Sequence, residues 1–162
     1  MKTTVLLLFF LVAFSCSDKT GAEKDKAQLL KLHAQQRQAH FAKDAKAMFA
    51  SSSPDMISVN AGKIHVSSGQ SDTEAFQNYF NSVEFKKWDD VKPPVIRFSE
   101  DRSLAYAVVD KLVVLTTKDS TGRNIEETTH YAWVSIYRKQ KNGDWKLECI
   151  ASTNEPEKVV PL

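Results

Sequence analysis

From Glu84 onward, apolar residues recur at every second position, and no other feature restricts the fold of this chain as tightly. A period of two lets a segment bury one face only as a β-strand. Strands are therefore expected at about 84–91, 94–99, 103–117, 125–139 and 144–153. The breaks are Pro93-Pro94, Ser99-Glu100-Asp101-Arg102, Asp119-Ser120-Thr121-Gly122 and Lys141-Asn142-Gly143-Asp144. The last break places Asn-Gly between two alternating runs, a strong hairpin signal. The strands at 103–117 and 125–139 are long, which suits a strongly curved sheet.

Upstream the period is helical. Leu29, Leu30, Leu32 and Phe41 share one arc of a helix from about 27 to 41, and Lys43-Asp44 ends it. A short helix at 45–50 carries Met48 and Phe49, and Ser51-Ser52-Ser53-Pro54 breaks the chain. Strands at 56–59 and 63–66 flank a turn at Asn60-Ala61-Gly62. Ser71-Asp72-Thr73-Glu74 fits a capping box, and Phe76, Tyr79, Phe80 and Val83 follow at i, i+3, i+4, i+7. Helices first and an antiparallel meander later predict one α+β domain over 27–154.

The first sixteen residues give an address. Lys2, an apolar run from Val5 to Phe14 and Ser15-Cys16 have the pattern of a signal peptide over 1–15. The apolar run is too short to span a bilayer core of ~30 Å as a helix. Ala13-Phe14-Ser15-Cys16 resembles a bacterial lipobox, which implies lipid on Cys16 and a membrane-anchored lipoprotein on the periplasmic or outer-membrane side. Residues 16–26 then read as the lipidated cysteine and a polar tether, and 155–162 as a tail.

Composition excludes several classes. The 22 basic and 20 acidic side chains leave a formal charge of +2, with basic residues interleaved among acids, so a nucleic-acid-binding face is not expected. Neither a Gly-rich phosphate loop nor a Ser elbow nor a Cys/His cluster is present, so neither cofactor nor metal is expected. With Cys16 lipidated, Cys149 has no partner for a disulfide. It reads as a small buried residue on the Trp145/Leu147 face of the final strand.

The order helix, short helix, strands, helix, meander ends in Ser135-Ile136-Tyr137-Arg138-Lys139 and Asn142-Gly143-Asp144-Trp145-Lys146-Leu147. This resembles the nuclear transport factor 2-like superfamily, in particular its SnoaL-like and ketosteroid-isomerase-like bacterial domains. Glu84-Phe85-Lys86-Lys87-Trp88-Asp89-Asp90 with Pro93-Pro94-Val95-Ile96-Arg97 adds to the likeness. The resemblance implies a cone, a curved antiparallel sheet wrapped around N-terminal helices with a pocket between them. It also implies a homodimer through the outer face of the sheet. The superfamily holds isomerases, dehydratases and non-catalytic binding domains, so the fold alone does not assign a function.

His33, Arg37 and His40 fall within about 80° of Leu29 at 100° per residue. They read either as a pocket wall for an anionic or carbonyl-bearing ligand, in a cone expected to take a small apolar or anionic molecule, or as a helix edge whose long side chains reach solvent. Tyr79, Trp88 and Trp133 supply aromatic surface for a ligand or for plain core. Asp110-Lys111 interrupts an apolar run, so one of the two points into the cone. An inward Asp110 beside Tyr106 would be a general base. His130 sits mid-strand among aromatics as a second candidate, while His65, between Ile64 and Val66, is expected to point outward. No acid or base alternates with Trp145 on the last strand. The expected function is therefore non-catalytic binding of a small molecule or partner by a lipid-anchored protein. The alternative is an isomerase or dehydratase-type enzyme using an acid/base pair in the cone pocket.

Overall fold

The computed structural model describes residues 17–162, with side chains from residue 20. The signal peptide and Cys16 lie outside the described residues. Helix α1 (Ser17–Ala42) starts where a polar tether was expected. Its buried stripe is Asp25, Leu29, Gln36, Ala39 and His40, spaced so that one helix face is covered. Three of these five residues are polar, so apolar periodicity could not see the helix before residue 27. Asp25 is 2% exposed. Its Oδ1 accepts from Lys139 Nζ at 2.6 Å and from Trp145 Nε1 at 3.3 Å, tying the start of α1 to the last hairpin. Gly21 lets the helix pass close to the turn at 99–102, since a Cβ there would fall 2.3 Å from the Arg102 guanidinium.

Helix α2 (Ala45–Phe49) is capped by Asp44, whose carboxylate accepts from the Ala47 amide at 2.9 Å. Strands β1 (Ser52–Asn60) and β2 (Lys63–Val66) meet at Ala61 and Gly62, with φ of 48° and 73°. Positive φ at both positions is what a type I′ hairpin requires. Helix α3 (Gln70–Ser82) begins one residue before Ser71, and Gly69 at its N-cap makes no side-chain cap. The expected capping box is therefore not formed, because Ser71 is already inside the helix.

Strands β3 (Glu84–Phe98), β4 (Leu104–Lys118), β5 (Asn124–Lys139) and β6 (Trp145–Asn154) form the meander. Strand β7 (Lys158–Pro161) occupies the expected tail and pairs with β5. The sheet order is β2-β1-β6-β5-β4-β3. The β1–β6 pair is parallel and every other pair antiparallel, so the sheet is mixed rather than purely antiparallel. Pro93 and Pro94 do not split β3, because β3 is an edge strand and its ladder slips register on both sides of Lys92. The helices lie against the inner face of this curved sheet, which makes an α+β cone.

A register shift at Ile136/Tyr137 turns β6 over midway. Leu147 faces inward opposite Tyr137, but Cys149 pairs with Ile136 and sits on the outer face. Ile150 and Ser152 return to the inner one. Simple alternation from Trp145 placed Cys149 inside, and the bulge corrects that. Two apolar clusters fill the cone. One is built on Leu29, Met56, Tyr137 and Trp145, and the other on Phe80, Phe85, Trp88, Val113 and Leu115.

Candidate functional site

A cavity of about 560 Å³ opens between the two clusters, within the size range of small-molecule sites. Met56 and Leu147 line it from one cluster, and Phe85, Trp88 and Val113 from the other. Phe49, Phe76, Tyr79, Tyr131 and Trp133 complete an aromatic wall. Gln36, His40, Ser58, Ser152, His65 and Asp72 are among its polar groups. A second concavity of about 570 Å³ runs along α1, α2 and the last hairpin, past Gln28, Lys31, Gln35 and Lys146, and none of the expected site residues line it.

His40 and Gln36 are the two buried polar side chains of the first cavity, and His40 is the titratable one. It is 6% exposed, stacked on Trp88 with ring centroids 4.3 Å apart, and edged by Phe76, Phe80 and Phe85. Its Nδ1 donates to the Gln36 carbonyl at 2.7 Å. Burial, aided by the Lys111 ammonium and opposed by that hydrogen bond, brings its pKa down to about 4. The ring is therefore neutral at physiological pH.

Beside the cavity lies a charged cluster. Of the Asp110-Lys111 pair, Lys111 is the residue that points into the cone, at 1% exposure. Its ammonium pairs with Asp90 at 2.5 Å and lies 3.7 Å from the Trp88 ring centroid. His33 Nε2 meets the same carboxylate at 2.9 Å and approaches Lys111 Nζ to 3.4 Å. Two donors thus converge on Asp90. Burial lowers the pKa of both His33 and Lys111, against the pull of Asp90. Arg37 pairs with Asp89 at 2.8 Å and covers Phe41, with much of its side chain in solvent. Of the three α1 candidates, His40 alone lines the cavity.

Tyr79, Trp88 and Trp133 line it as well. Burial pushes the Tyr79 hydroxyl up to about 12. Asp110, His130 and Tyr106 do not line it. Asp110 and His130 bind each other at 2.5 Å on the outer face, with Glu155 3.4 Å from the imidazole, and Tyr106 is exposed there too. An inward general base at Asp110 is thereby corrected. Its chain neighbour Lys111 takes the inward position because the buried series of β4 is Ala105, Ala107, Val109, Lys111, Val113, Leu115.

Sequence reasoning also missed the cavity mouth. His65 Nε2 lies 3.0 Å from both Asp72 oxygens, and Ser68 donates to the same carboxylate through its amide and hydroxyl, each at 2.9 Å. These contacts, the His65 bond first, hold the Asp72 carboxyl far below its usual range. His65 faces the cavity because Ile64 and Val66 occupy the outer face, which is itself apolar. Alternation puts His65 opposite Ile64 and Val66, but it does not say which of the two sides of β2 is the inner one. Among the described residues, no group of three or more His, Cys, Asp or Glu side chains is arranged to hold a metal ion. No described helix is long and apolar enough to cross a membrane.

No protein-family profile matches the sequence, and no curated protein matches it. Solved structures do match the fold. A ketosteroid isomerase-like protein from Erwinia carotovora atroseptica superposes with a TM-score of 0.61 at 18% identity, covering 80% of this chain and 96% of that one. A nuclear transport factor 2-like protein from Cytophaga hutchinsonii gives 0.60 at 11% identity, covering 80% and 98%. A hexachlorocyclohexane dehydrochlorinase (LinA) type 2 gives 0.61 at 11% identity, covering 89% and 93%. Identities this low carry the architecture and nothing finer. The cone, the strand order and these superpositions together give the chain the nuclear transport factor 2-like fold.

Proposed function

We propose that this chain is an exported, lipid-anchored envelope protein whose cone takes up a small, largely apolar molecule without transforming it. The observation that carries the reading is the aromatic cavity of about 560 Å³ with one buried, neutral imidazole in its wall. Burying an apolar ligand there gains about 25 cal/mol per Å² of surface removed from water. Lipid on Cys16 rests on the residues before Ser17. With α1 starting at Ser17, such a lipid would hold the cone at the membrane surface without a flexible spacer.

The outer face supports a homodimer. Val66, Ile57, Cys149, Ile136 and Tyr106 form one cross-strand row, and Ile64, Val59, Ala151, Val134, Val108 and Val95 form the next. Exposed apolar rows spanning the sheet mark an interaction surface, and a second copy of the same face would cover them.

A second reading is favoured by the His65–Asp72 pair at the cavity mouth, since an imidazole oriented by a carboxylate can move a proton. Under it the cone would be an isomerase- or dehydratase-type enzyme; the ketosteroid isomerase-like and dehydrochlorinase neighbours share its fold. Native mass spectrometry of residues 17–162, which carry every described helix and strand, separates these ideas. A co-purified molecule recovered unchanged on a dimer supports the binding reading. An empty monomer, or a ligand converted during incubation and spared by His65→Ala, argues against it. Incorporation of labelled palmitate by the full chain, lost in Cys16→Ala, tests the anchor.

A further inference from the structure

His40 is held in one tautomer by a partner that can only accept. A main-chain carbonyl has no proton to give, so the 2.7 Å contact between Nδ1 and the Gln36 oxygen places the hydrogen on Nδ1. In the neutral ring, Nε2 then carries a lone pair and no hydrogen. Among the described residues Nε2 has no hydrogen-bond partner. Phe76, Phe80 and Phe85 cannot supply one. Trp88 has an indole N–H, but it lies face-on with 27° between the planes, so that N–H runs alongside the imidazole rather than at it.

Protonating Nε2 would turn it into a donor, yet burial among four aromatic rings and the nearby Lys111 ammonium both oppose the charge. Ser58, Ser152 and Tyr79 line the same cavity, but a hydroxyl both gives and accepts and so does not discriminate. His40 has a single sense. Among the described residues the fully buried unpartnered side-chain atoms are Asp25 Oδ2 and Ser53 Oγ, so Nε2 is not sealed off. A ligand that covers it without offering a donor would leave an unpaired acceptor and cost free energy, and a carbonyl or carboxylate brought to Nε2 would set lone pair against lone pair.

We infer that the ligand of this cavity presents a hydrogen-bond donor at its buried end, a neutral hydroxyl or N–H on an apolar skeleton, and is taken in preference to the matching ether, aldehyde or carboxylate. This rests on the binding reading above and adds the polarity of the ligand. It also departs from the sequence-based expectation of an anionic or carbonyl-bearing ligand at this part of the wall.

The experiment is isothermal titration of residues 17–162 with four matched compounds: biphenyl-4-ol, 4-methoxybiphenyl, biphenyl-4-carbaldehyde and biphenyl-4-carboxylate. Biphenyl-4-ol should bind about tenfold more tightly than the ether or aldehyde, the worth of one buried hydrogen bond. His40→Phe should erase that preference while leaving the ether unchanged. Equal or tighter binding of the aldehyde, ether or carboxylate by the wild type overturns the inference and leaves the cavity reading standing. Failure of all four to bind overturns the cavity reading itself. Because His40→Phe could misfold, nitrogen-15 NMR of the wild type provides an independent test. Nε2 should show the shift of an unprotonated nitrogen that moves on adding biphenyl-4-ol, whereas a protonated Nε2 contradicts the inference.

Discussion

Replacing His40 with phenylalanine should change the response of the fold to acid more than its stability at neutral pH. At neutral pH the substitution keeps the stacking on Trp88 and loses the bond to the Gln36 carbonyl, a cost of about 1 kcal/mol. The acid limb differs in sign. His40 titrates at 6.5 in an unfolded chain and at about 4 in the fold, so the unfolded state takes the proton first. Its contribution is therefore complete above 6.5 and disappears as pH falls from 6.5 to about 4. That difference is worth roughly 3 kcal/mol, a large share of a domain's 5–15 kcal/mol. The groups facing the ring are Phe76, Phe80, Phe85 and Trp88, with Lys111 the charge that weighs on it. His33, lowered in the same direction, adds to acid sensitivity in both proteins. His130 is raised by Asp110, so its exposed pair contributes below 6.5 and fades as pH rises past its folded value. Both terms cancel when variant and wild type are compared. Urea unfolding at pH 7.5 and at pH 4 should show His40→Phe about 1 kcal/mol less stable at the first pH and roughly 2 kcal/mol more stable at the second. Parallel loss of stability in the two proteins would refute the reasoning, because it would mean the ring is not buried as a neutral base.

Other outcomes follow from single contacts. Asp25→Ala leaves Trp145 Nε1 without its partner and frees Lys139, so urea unfolding should show a loss of about 2 kcal/mol. Phe80→Ala empties a site at 0% exposure and should cost 3–5 kcal/mol, roughly, by thermal unfolding. Ile136→Asp puts a charge in the middle of the outer apolar rows. Sedimentation should then report a monomer with an unchanged circular dichroism spectrum, and a persistent dimer would remove that face as the interface.

The parts of the fold legible in the sequence were those carried by apolar periodicity and turn chemistry. Strands β4 and β5 and the Asn142-Gly143 hairpin lie where alternation and turn residues place them, because each buries one face and ends at a turn. Helix α1 was half legible, since its first turns bury Asp25 rather than a hydrophobe. Alternation also names which residues share a face without naming which face is inner. Lys111 is therefore the inward residue of the Asp110-Lys111 pair, and His65 lines the cavity although alternation with Ile64 and Val66 predicts that it points outward. The bulge in β6 was invisible because Glu148 looks like any other polar strand residue. The cavity is a long-range product of α1, α2, α3 and six strands. The sequence could suggest Trp88, Tyr79 and Trp133 as aromatic surface, but not that His40 joins them while His33 and Arg37 turn to Asp90 and Asp89.

The most direct test of a cavity that binds a hydroxyl-bearing apolar molecule is a crystal structure of residues 17–162 with biphenyl-4-ol. The rings should lie against Trp88, Trp133 and Phe85, with the oxygen at hydrogen-bond distance from His40 Nε2. An empty cavity, or the compound seated instead in the polar groove beside Gln28, Lys31 and Gln35, would contradict the account.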